Sequence, residues 1–350
     1  MPTHPDISSP LRLSLDRAAL QHNWQSLARM SGKAACGAAI KANGYGLGAR
    51  RVMTHLAAAG CRDFFVATWA EAQTLMPIAS GLSLSVLHGV RTEDMAVAIG
   101  GAARPVLSTP EQIARWRQAG GGACDVMIDT GMNRLGLDWQ SDVAGLVNGL
   151  KIEVLMSHLA CADDDNPLSA LQRQRFAALT QQIPASRYSL ANSAGICLGA
   201  DYHFDLTRPG VALYGGVPRN EATGKLRQVV TPQAQVLQQR VVRAGDQVGY
   251  NATYTAQRDT PVVVLNIGYA DGYLRGFSGT GRVLAGAAAL PVIGRVSMDL
   301  LIVDATDAPD VGEGDWLDID YDLPTAAAAS GLSQYELLTG LGQRFERRWV

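Results

Sequence analysis

The chain has 350 residues, of which 47% are hydrophobic and 18% are charged, and its formal net charge is −2. This length predicts about two domains with ample core, and the near-neutral charge gives no indication of a nucleic-acid or anionic-membrane partner. Five scattered cysteines without a CxxC pair argue for reduced thiols, and against a disulfide framework or a metal site. No apolar run approaches the ~20 residues of a membrane span, and the polar first residues lack a signal-peptide core. We therefore predict a cytoplasmic protein.

The first predicted element is a strand at residues 11–15, where apolar and polar residues alternate. Asp16 then begins a predicted helix whose apolar residues share one face. The next strand, at residues 35–40, is a continuous run of small and aliphatic residues, which is typical of a strand buried on both faces.

This second strand ends on Lys41, and a glycine-rich turn with Tyr45 follows. A lysine in this position either extends to solvent or faces a pocket, where an amine that has lost its proton can form a Schiff base with a carbonyl. The stretch alone favours the solvent-exposed alternative, so the choice depends on the rest of the chain.

Short apolar runs and amphipathic segments then alternate as far as residue 206. Further strands are predicted at 64–67, 84–87, 105–107, 126–128, 152–156, 188–190 and 204–206, with helices at 49–58, 69–78, 93–99, 110–118, 142–147 and 168–182. Eight βα units in roughly 200 residues predict a (β/α)8 barrel. An open, doubly wound sheet is the alternative, but no GxGxxG motif follows an early strand.

From about residue 229 the pattern becomes rich in β-structure. Strands are predicted at 233–242, 262–267, 290–293 and 300–304, and helical periodicity is absent until 333–341. The predicted fold class is therefore α/β, with an N-terminal (β/α)8 TIM-type barrel at residues 1–228 and a C-terminal mainly β domain at residues 229–350. The strand at 11–15 could pair with this second domain.

Polar and basic residues follow several of the predicted barrel strands. Because the active sites of such barrels form at the C-terminal ends of the strands, these side chains are expected to meet at one rim. Each of them has an ordinary explanation, such as a buried core histidine or a helix cap, but their common position favours a site. They are Lys41, Tyr45, the segment 129–136, His158, Asn192, Ser193, Arg208 and Gly210.

The last two barrel strands also carry the features of an anion site. Ser193 and the backbone amides near Gly195, Gly210 and Val211 lie where short helices are expected to begin. Amide groups and helix dipoles at such places favour a phosphate, and barrels often bind phosphate after strands seven and eight. A Schiff-base lysine next to a phosphate cradle indicates pyridoxal 5′-phosphate, whose ring withdraws electrons from a bound substrate.

Eight segments of the chain resemble motifs of the alanine racemase family, which are fold-type III pyridoxal-phosphate enzymes. Residues 41–48 (KANGYGLG) resemble the family's cofactor-lysine motif, KANAYGHG, and residues 129–136 (DTGMNRLG) resemble its DTGMxRxG motif. The segments occur in family order over essentially the whole chain. The other six are 157–160 (SHLA), 192–193 (NS), 208–215 (RPGVALYG), 249–256 (GYNATYTA), 267–272 (IGYADG) and 294–299 (GRVSMD).

The resemblance implies an enzyme that interconverts L- and D-alanine, either to provide D-alanine for peptidoglycan or to degrade alanine. Inversion requires that a proton leaves one face of Cα and returns to the opposite face, so two bases are needed. The family pattern implies that Lys41 holds the cofactor and serves one face. It implies that Tyr250, from the β domain of a second subunit in a homodimer, serves the other.

The resemblance also assigns the residues around the cofactor. His158 and Arg208 would assist the bases, and Arg208 would face the pyridine nitrogen and keep it unprotonated, which disfavours transamination. Arg134 would contact the cofactor hydroxyl or the substrate carboxylate. The phosphate would be bound by Tyr45, Ser193, Gly210 and Val211, with Asn192 beside them, and the partner subunit would close the pocket with Tyr269 and Met298.

Four positions depart from the family pattern. Gly44 replaces the usual alanine and Leu47 the usual histidine of the cofactor-lysine motif, beside the phosphate-binding tyrosine. Met127 stands where the family usually has a lysine that braces the arginine, so Arg134 needs another support, and we hypothesise a bound anion. Gln343 stands where some members have a tyrosine at the pocket edge.

Three alternatives remain. A serine or broad-specificity amino-acid racemase would use the same chemistry in a different pocket. A related decarboxylase is disfavoured, because the cysteine-bearing C-terminal motif of that group is missing. A non-catalytic pyridoxal-phosphate carrier would share the barrel lysine but would lack the β domain and the Tyr250 segment.

Overall fold

The computed structural model describes residues 8–350, which form two compact units. One unit comprises Ala18–Arg227, and the other comprises Gln228–Val350 together with the described residues before Ala18. The Leu11–Leu15 strand belongs to the second unit, although it precedes the first in the chain.

Parallel strands form the ring of the first unit. They are Ala35–Cys36 with Ala38–Ala39, Asp63–Val66, Ser83–Val86, Arg104–Leu107, Cys124–Asp129, Ile152–Met156, Arg187–Ser189 and Leu206–Thr207. Leu206–Thr207 pairs with Ala35–Cys36, and the Arg208 N–H donates to the Ala191 carbonyl at 2.8 Å, so the ring closes. The predicted (β/α)8 barrel is confirmed.

The first barrel strand is split at Gly37. Only glycine fits there, because a Cβ would lie 2.9 Å from the Asp63 carbonyl oxygen and 3.0 Å from the Phe65 ring. The last strand begins two residues later than predicted, since Phe204 adopts a left-handed φ of +51° that no strand tolerates. Inside the barrel, apolar side chains pack in one cluster made of Phe65, Val106, Met127, Val154, Met156 and Leu206.

Helices alternate with the barrel strands. Their bounds are Arg17–Met30, Ala49–Ala59, Trp69–Leu75, Met95–Ala98, Pro110–Gln118, Val143–Val147, Pro167–Thr180 and Ser193–Cys197. The segment Lys41–Tyr45 is a left-handed turn between the first barrel strand and the Ala49–Ala59 helix. Thr68, Thr109 and Asn166 cap three of them by accepting backbone N–H bonds with their side chains. None of the helices between residues 8 and 350 combines the length and the apolar character that crossing a bilayer requires.

A mixed sheet forms the second unit. Leu11–Leu15 pairs antiparallel with Val230–Val242 and parallel with Glu346–Trp349. The other strands of the unit are Gln247–Val248, Tyr254–Thr255, Thr260–Leu265, Arg282–Ala285, Ala288–Pro291, Leu301–Asp304 and Trp316–Ile319. The predicted mainly β character of this region is confirmed.

Between residues 229 and 333 the sequence has no helical periodicity, but a helix spans Leu323–Ser330 and precedes the helix at Gln334–Thr339. Its sequence, LPTAAAAS, consists largely of alanine and has no polar face, so periodicity cannot reveal it. The local signals are nevertheless present. Asp322 caps the helix by accepting the Thr325 N–H at 3.2 Å, and Gly331 ends it at a φ of +72°.

Candidate active site

The backbone that follows Lys41 makes a left-handed turn. Ala42, Asn43, Gly44 and Tyr45 have φ values of +53°, +53°, +65° and +53°. Left-handed backbone costs a residue other than glycine about 1–2 kcal/mol, so the surrounding structure has to stabilise this turn. The Gly44 N–H donates to the Ile40 carbonyl at 2.8 Å, and Asn43 Oδ1 accepts the Ala49 N–H at 3.0 Å.

The Lys41 side chain is half-buried at the carboxyl end of the first barrel strand. Burial lowers the pKa of its amine, the positive charge of Arg134 lowers it further, and the Glu71 carboxylate opposes both. A lysine with a lowered pKa releases its proton more readily and becomes a base or a nucleophile. The solvent-exposed alternative is therefore disfavoured by the environment of this side chain.

Arg134 lies in a turn that Asp129 organises. Asp129 Oδ1 accepts the N–H groups of Gly131 and Met132, and its Oδ2 accepts that of Arg134, each at 2.8 Å. Burial raises the pKa of Asp129, but these backbone hydrogen bonds outweigh it, so that the pKa is lowered and the carboxylate stays ionised. The turn presents the exposed Arg134 side chain at the rim.

His158 lies at the end of the sixth strand, close to the basic residues of the rim. Burial, followed by the positive charges of Arg208, Arg134 and Lys41, lowers the pKa of its ring to about 3. The ring is therefore neutral near pH 7. The buried Gln172 orients this segment, because it donates to the His158 carbonyl at 2.9 Å and accepts the Ala160 N–H at 2.9 Å.

Arg208 is buried at the end of the eighth strand. Its guanidinium donates to the Ser157 carbonyl at 2.6 Å and to Ser189 Oγ, which fixes its plane. Burial lowers the pKa of Arg208 to about 10, so the side chain remains a cation at neutral pH. The structure thus places a fixed charge between the sixth and seventh strands.

Ser193, Gly210 and Tyr45 form a small cradle. Ser193 Oγ accepts the N–H groups of Gly210 at 2.8 Å and Ala212 at 3.3 Å, so its own hydrogen can be donated elsewhere. A Cβ on Gly210 would lie 2.2 Å from Tyr45 Oη, so only glycine lets the tyrosine hydroxyl approach. Tyr45 stacks on Tyr214 with ring centroids 4.6 Å apart. Hydroxyl donors at the start of the Ser193–Cys197 helix are a donor set that fits a phosphate.

Asn192 and Val211 support this cradle. Asn192 caps the Ser193–Cys197 helix by accepting the Gly195 N–H at 2.8 Å, and Val211 begins the short 3₁₀ helix that follows Gly210. The contact that the structure shows for Asn192 is therefore that of a helix cap. Through this cap Asn192 holds the backbone on which Ser193 lies.

The second unit carries the other predicted site residues. Tyr250 is 67% exposed and Met298 is 52% exposed, whereas Tyr269 is half-buried. The segments of Tyr269 and Met298 are adjacent, because the Tyr269 N–H donates to the Ser297 carbonyl and the Ala270 N–H donates to that of Met298, both at 3.0 Å. Gln343 is exposed in the same unit.

Arg344, which sequence reasoning did not single out, joins these two segments. It donates to both oxygens of the fully buried Asp271, at 2.6 and 2.7 Å, and to Asp299 Oδ1 at 2.7 Å. Asp271 follows Tyr269 by two residues and Asp299 follows Met298 directly. The ion pairs therefore fix the loops on which both pocket residues lie.

We expect Arg344→Ala to lower the free energy of unfolding by about 2 kcal/mol, because Asp271 then keeps a buried charge without its cation. Denaturant titration measures this loss. Arg348→Ala is the matched control, since Arg348 pairs with Glu346 at an exposed position and should change stability by less than about 0.5 kcal/mol. Equal losses in the two variants would contradict the bracing role.

Met127 packs among apolar side chains. It is 8% exposed and belongs to the apolar cluster in the barrel interior. Within residues 8–350, no carboxylate forms an ion pair with the Arg134 guanidinium. The hypothesis that an anion supports Arg134 stays a prediction.

The anion hypothesis predicts that turnover rises severalfold when chloride is added to a chloride-free buffer, and that it then saturates. The measurement is kcat/KM at constant ionic strength, with sodium gluconate as the control salt. Turnover that does not depend on chloride would reject the anion.

A (β/α)8 barrel whose rim carries a lysine of lowered pKa and an anion cradle, followed by a β domain, is the architecture of the fold-type III pyridoxal-phosphate enzymes. The family of this chain is defined by its sequence. Residues 15–218 match the family "Alanine racemase, N-terminal domain", and residues 229–349 match "Alanine racemase, C-terminal domain". The chain belongs to the alanine racemase family.

Similar proteins extend over the whole chain. The alanine racemase of Rhizobium meliloti is 39% identical over 98% of each chain, and the biosynthetic alanine racemase of Agrobacterium fabrum is 38% identical over 98% of this chain and 94% of its own. Among solved structures, alanine racemase from Bartonella henselae, with covalently bound pyridoxal phosphate, is 34% identical. It covers 98% of this chain and 100% of its own with a TM-score of 0.90. Biosynthetic alanine racemase from Pseudomonas aeruginosa is 33% identical, with the same coverage and a TM-score of 0.87.

Proposed function

We propose that this protein is an alanine racemase that interconverts L- and D-alanine with pyridoxal 5′-phosphate. The observation that carries the proposal is the half-buried Lys41 amine, whose pKa is lowered by burial and by Arg134, at the barrel rim of a chain of this family. Names of similar proteins with 38–39% identity support the same activity.

The rim residues fit the cofactor. Lys41 would hold it covalently, and the hydroxyls of Tyr45 and Ser193 with the backbone of Gly210 and Val211 would bind its phosphate. His158 would lie beside the ring as a neutral imidazole. The fixed cation of Arg208 would face the ring nitrogen, and the role of Arg134 would be to bind the hydroxyl of the cofactor or the carboxylate of the substrate.

The bound cofactor supplies a ring that withdraws electrons from Cα of the amino acid. Lys41 would remove or return the proton on one face of Cα, and Tyr250 would do so on the other. A tyrosine that acts as a base needs neighbours that assist its proton transfer, a role that the family pattern gives to His158 and Arg208. A permanent positive charge on Arg208 disfavours protonation of the ring nitrogen, which favours racemisation over transamination.

Tyr250 would act in a homodimer, as a residue of the partner subunit's site. Its 67% exposure supports this, since a base open to water is poorly placed for proton transfer until another surface covers it. Met298, at 52% exposure, is a second apolar side chain that a partner would cover.

The five free cysteines support a cytoplasmic location.

The test is an assay of the purified protein with L-alanine, L-serine and larger amino acids, following chirality and visible absorbance. The proposal predicts racemisation of alanine with the largest kcat/KM. Faster turnover of serine or of larger amino acids would instead favour a broad-specificity racemase. Absorbance of bound cofactor without racemisation would favour a non-catalytic carrier.

A further inference from the structure

Glu71 connects the first two loops of the barrel rim. It lies in the Trp69–Leu75 helix, which follows the second barrel strand. One carboxylate oxygen accepts the N–H groups of Ala67 at 2.7 Å and Thr68 at 3.2 Å, which completes the capping box of its own helix. The other oxygen accepts the Ala42 N–H at 2.6 Å, from the loop that follows the first strand. Glu71 therefore forms one hydrogen bond to the residue next to Lys41.

A second helix of the same barrel uses the same arrangement with glutamine. In Pro110–Gln118, Gln112 Oε1 accepts the Ser108 N–H at 2.8 Å, and Thr109 caps the helix. The amide of Gln112 then donates to the His88 carbonyl at 3.2 Å. His88 lies in the loop that follows the third barrel strand, Ser83–Val86, whereas the Gln112 helix follows the fourth. Both side chains thus reach back to a neighbouring loop. Glutamine meets a carbonyl there, whereas glutamate meets an N–H group.

The position that Glu71 holds is the start of the left-handed turn. Ala42 is the first of the four consecutive residues with positive φ, and it is exposed, so little packing holds it in place. A charge-assisted hydrogen bond to its N–H is therefore a direct restraint on this turn. The same carboxylate is the negative charge that acts on the Lys41 amine.

We propose that Glu71 is a positioning residue for the reaction: its second carboxylate oxygen fixes the left-handed turn that presents Lys41. This inference rests on the proposed function for its catalytic consequence, but the restraint on Ala42 is a property of the protein alone. Glutamine at position 71 can keep the hydrogen bond to the Ala67 N–H, as Gln112 keeps the equivalent bond to the Ser108 N–H. Its NH₂ group would then face the Ala42 N–H, so that two donors meet.

The first experiment compares hydrogen exchange in the apoproteins of wild type and Glu71→Gln. We expect the amides of residues 41–47 to exchange about tenfold faster in the variant, because a hydrogen bond to a charged group is lost. Gln112→Glu is the matched control. It places a carboxylate against the His88 carbonyl and should increase exchange near residues 88–92 while leaving residues 41–47 unchanged.

The second experiment measures how the rate at which apoprotein takes up pyridoxal 5′-phosphate depends on pH. The charged groups that act on Lys41 are Arg134 and Glu71, and the titratable ring of His158, neutral near pH 7, lies close enough to feel the Lys41 charge. Removing the negative charge lowers the pKa of the amine further, so the midpoint of the acid limb should move to lower pH in Glu71→Gln. It should not move in Gln112→Glu. A merely structural role would slow the uptake without moving this midpoint.

In the loaded enzyme, Glu71→Gln should lower kcat for alanine about tenfold, since a displaced base is costly, and should leave KM within about twofold. Exchange of residues 41–47 at the wild-type rate, with an unmoved acid limb, would overturn the inference and would leave the proposed racemase activity untouched. If the wild type does not racemise alanine, but Glu71→Gln still exchanges faster at residues 41–47, only the proposed function would be overturned.

Discussion

Replacing Lys41 by alanine is expected to lower kcat/KM for alanine racemisation by at least about 10³-fold in both directions. The variant loses the amine that would hold the cofactor and also the base on one face of Cα. Because the side chain is only half-buried at the rim, the melting temperature should change little. The measurement follows D-alanine formed from L-alanine, and the reverse, together with the visible absorbance of bound cofactor.

Lys33→Ala is the matched control for this loss. Lys33 is exposed in the turn before the first barrel strand, so its removal takes away one lysine without affecting the rim. We expect this variant to keep racemisation within about twofold of the wild type. Racemisation by Lys41→Ala at more than about a tenth of the wild-type rate would contradict the assignment of the lysine.

Much of the barrel follows from local patterns. Its strands are continuous apolar runs, which indicates strands buried on both faces, and its helices are amphipathic. Both patterns can be found in the sequence alone. The C-terminal end of every strand is then a defined position in the sequence, which is why Lys41, His158 and Arg208 could be placed on one rim. The helix Leu323–Ser330 was missed for the opposite reason, since its alanines carry no periodic signal.

Residues that act through another residue are harder to predict. Thr68 and Glu71 form a T-x-x-E box that indicates a helix start, but nothing in that box reveals that the second carboxylate oxygen meets the Ala42 N–H. Arg344 pairs with Asp271, which lies 73 residues earlier in the chain. Such contacts depend on how loops approach one another in space. Tertiary geometry sets them, and sequence spacing does not.

The assignment of Tyr250 is the other prediction with a large effect. Tyr250→Phe removes only the hydroxyl, and we expect racemisation to fall about 10²- to 10³-fold, while the absorbance of bound cofactor persists. Tyr254→Phe, in the Tyr254–Thr255 strand of the same segment, is the control and should keep most of the activity. Full racemisation by Tyr250→Phe in both directions would contradict the two-base assignment.

Mixing two inactive variants tests whether Tyr250 acts on the partner subunit. A dimer of one Lys41→Ala chain and one Tyr250→Phe chain would contain one site with both bases intact if the tyrosine comes from the other subunit. Random reassociation makes half of the dimers mixed, and each has one working site, so the mixture should recover about a quarter of the wild-type activity. If Tyr250 served its own chain, neither site of a mixed dimer would hold both bases and no activity would return. A sharper version uses separately tagged chains that are co-expressed and purified over both tags, so that every dimer is mixed. If Tyr250 comes from the other subunit, each of these dimers carries one working site and should show half of the wild-type activity.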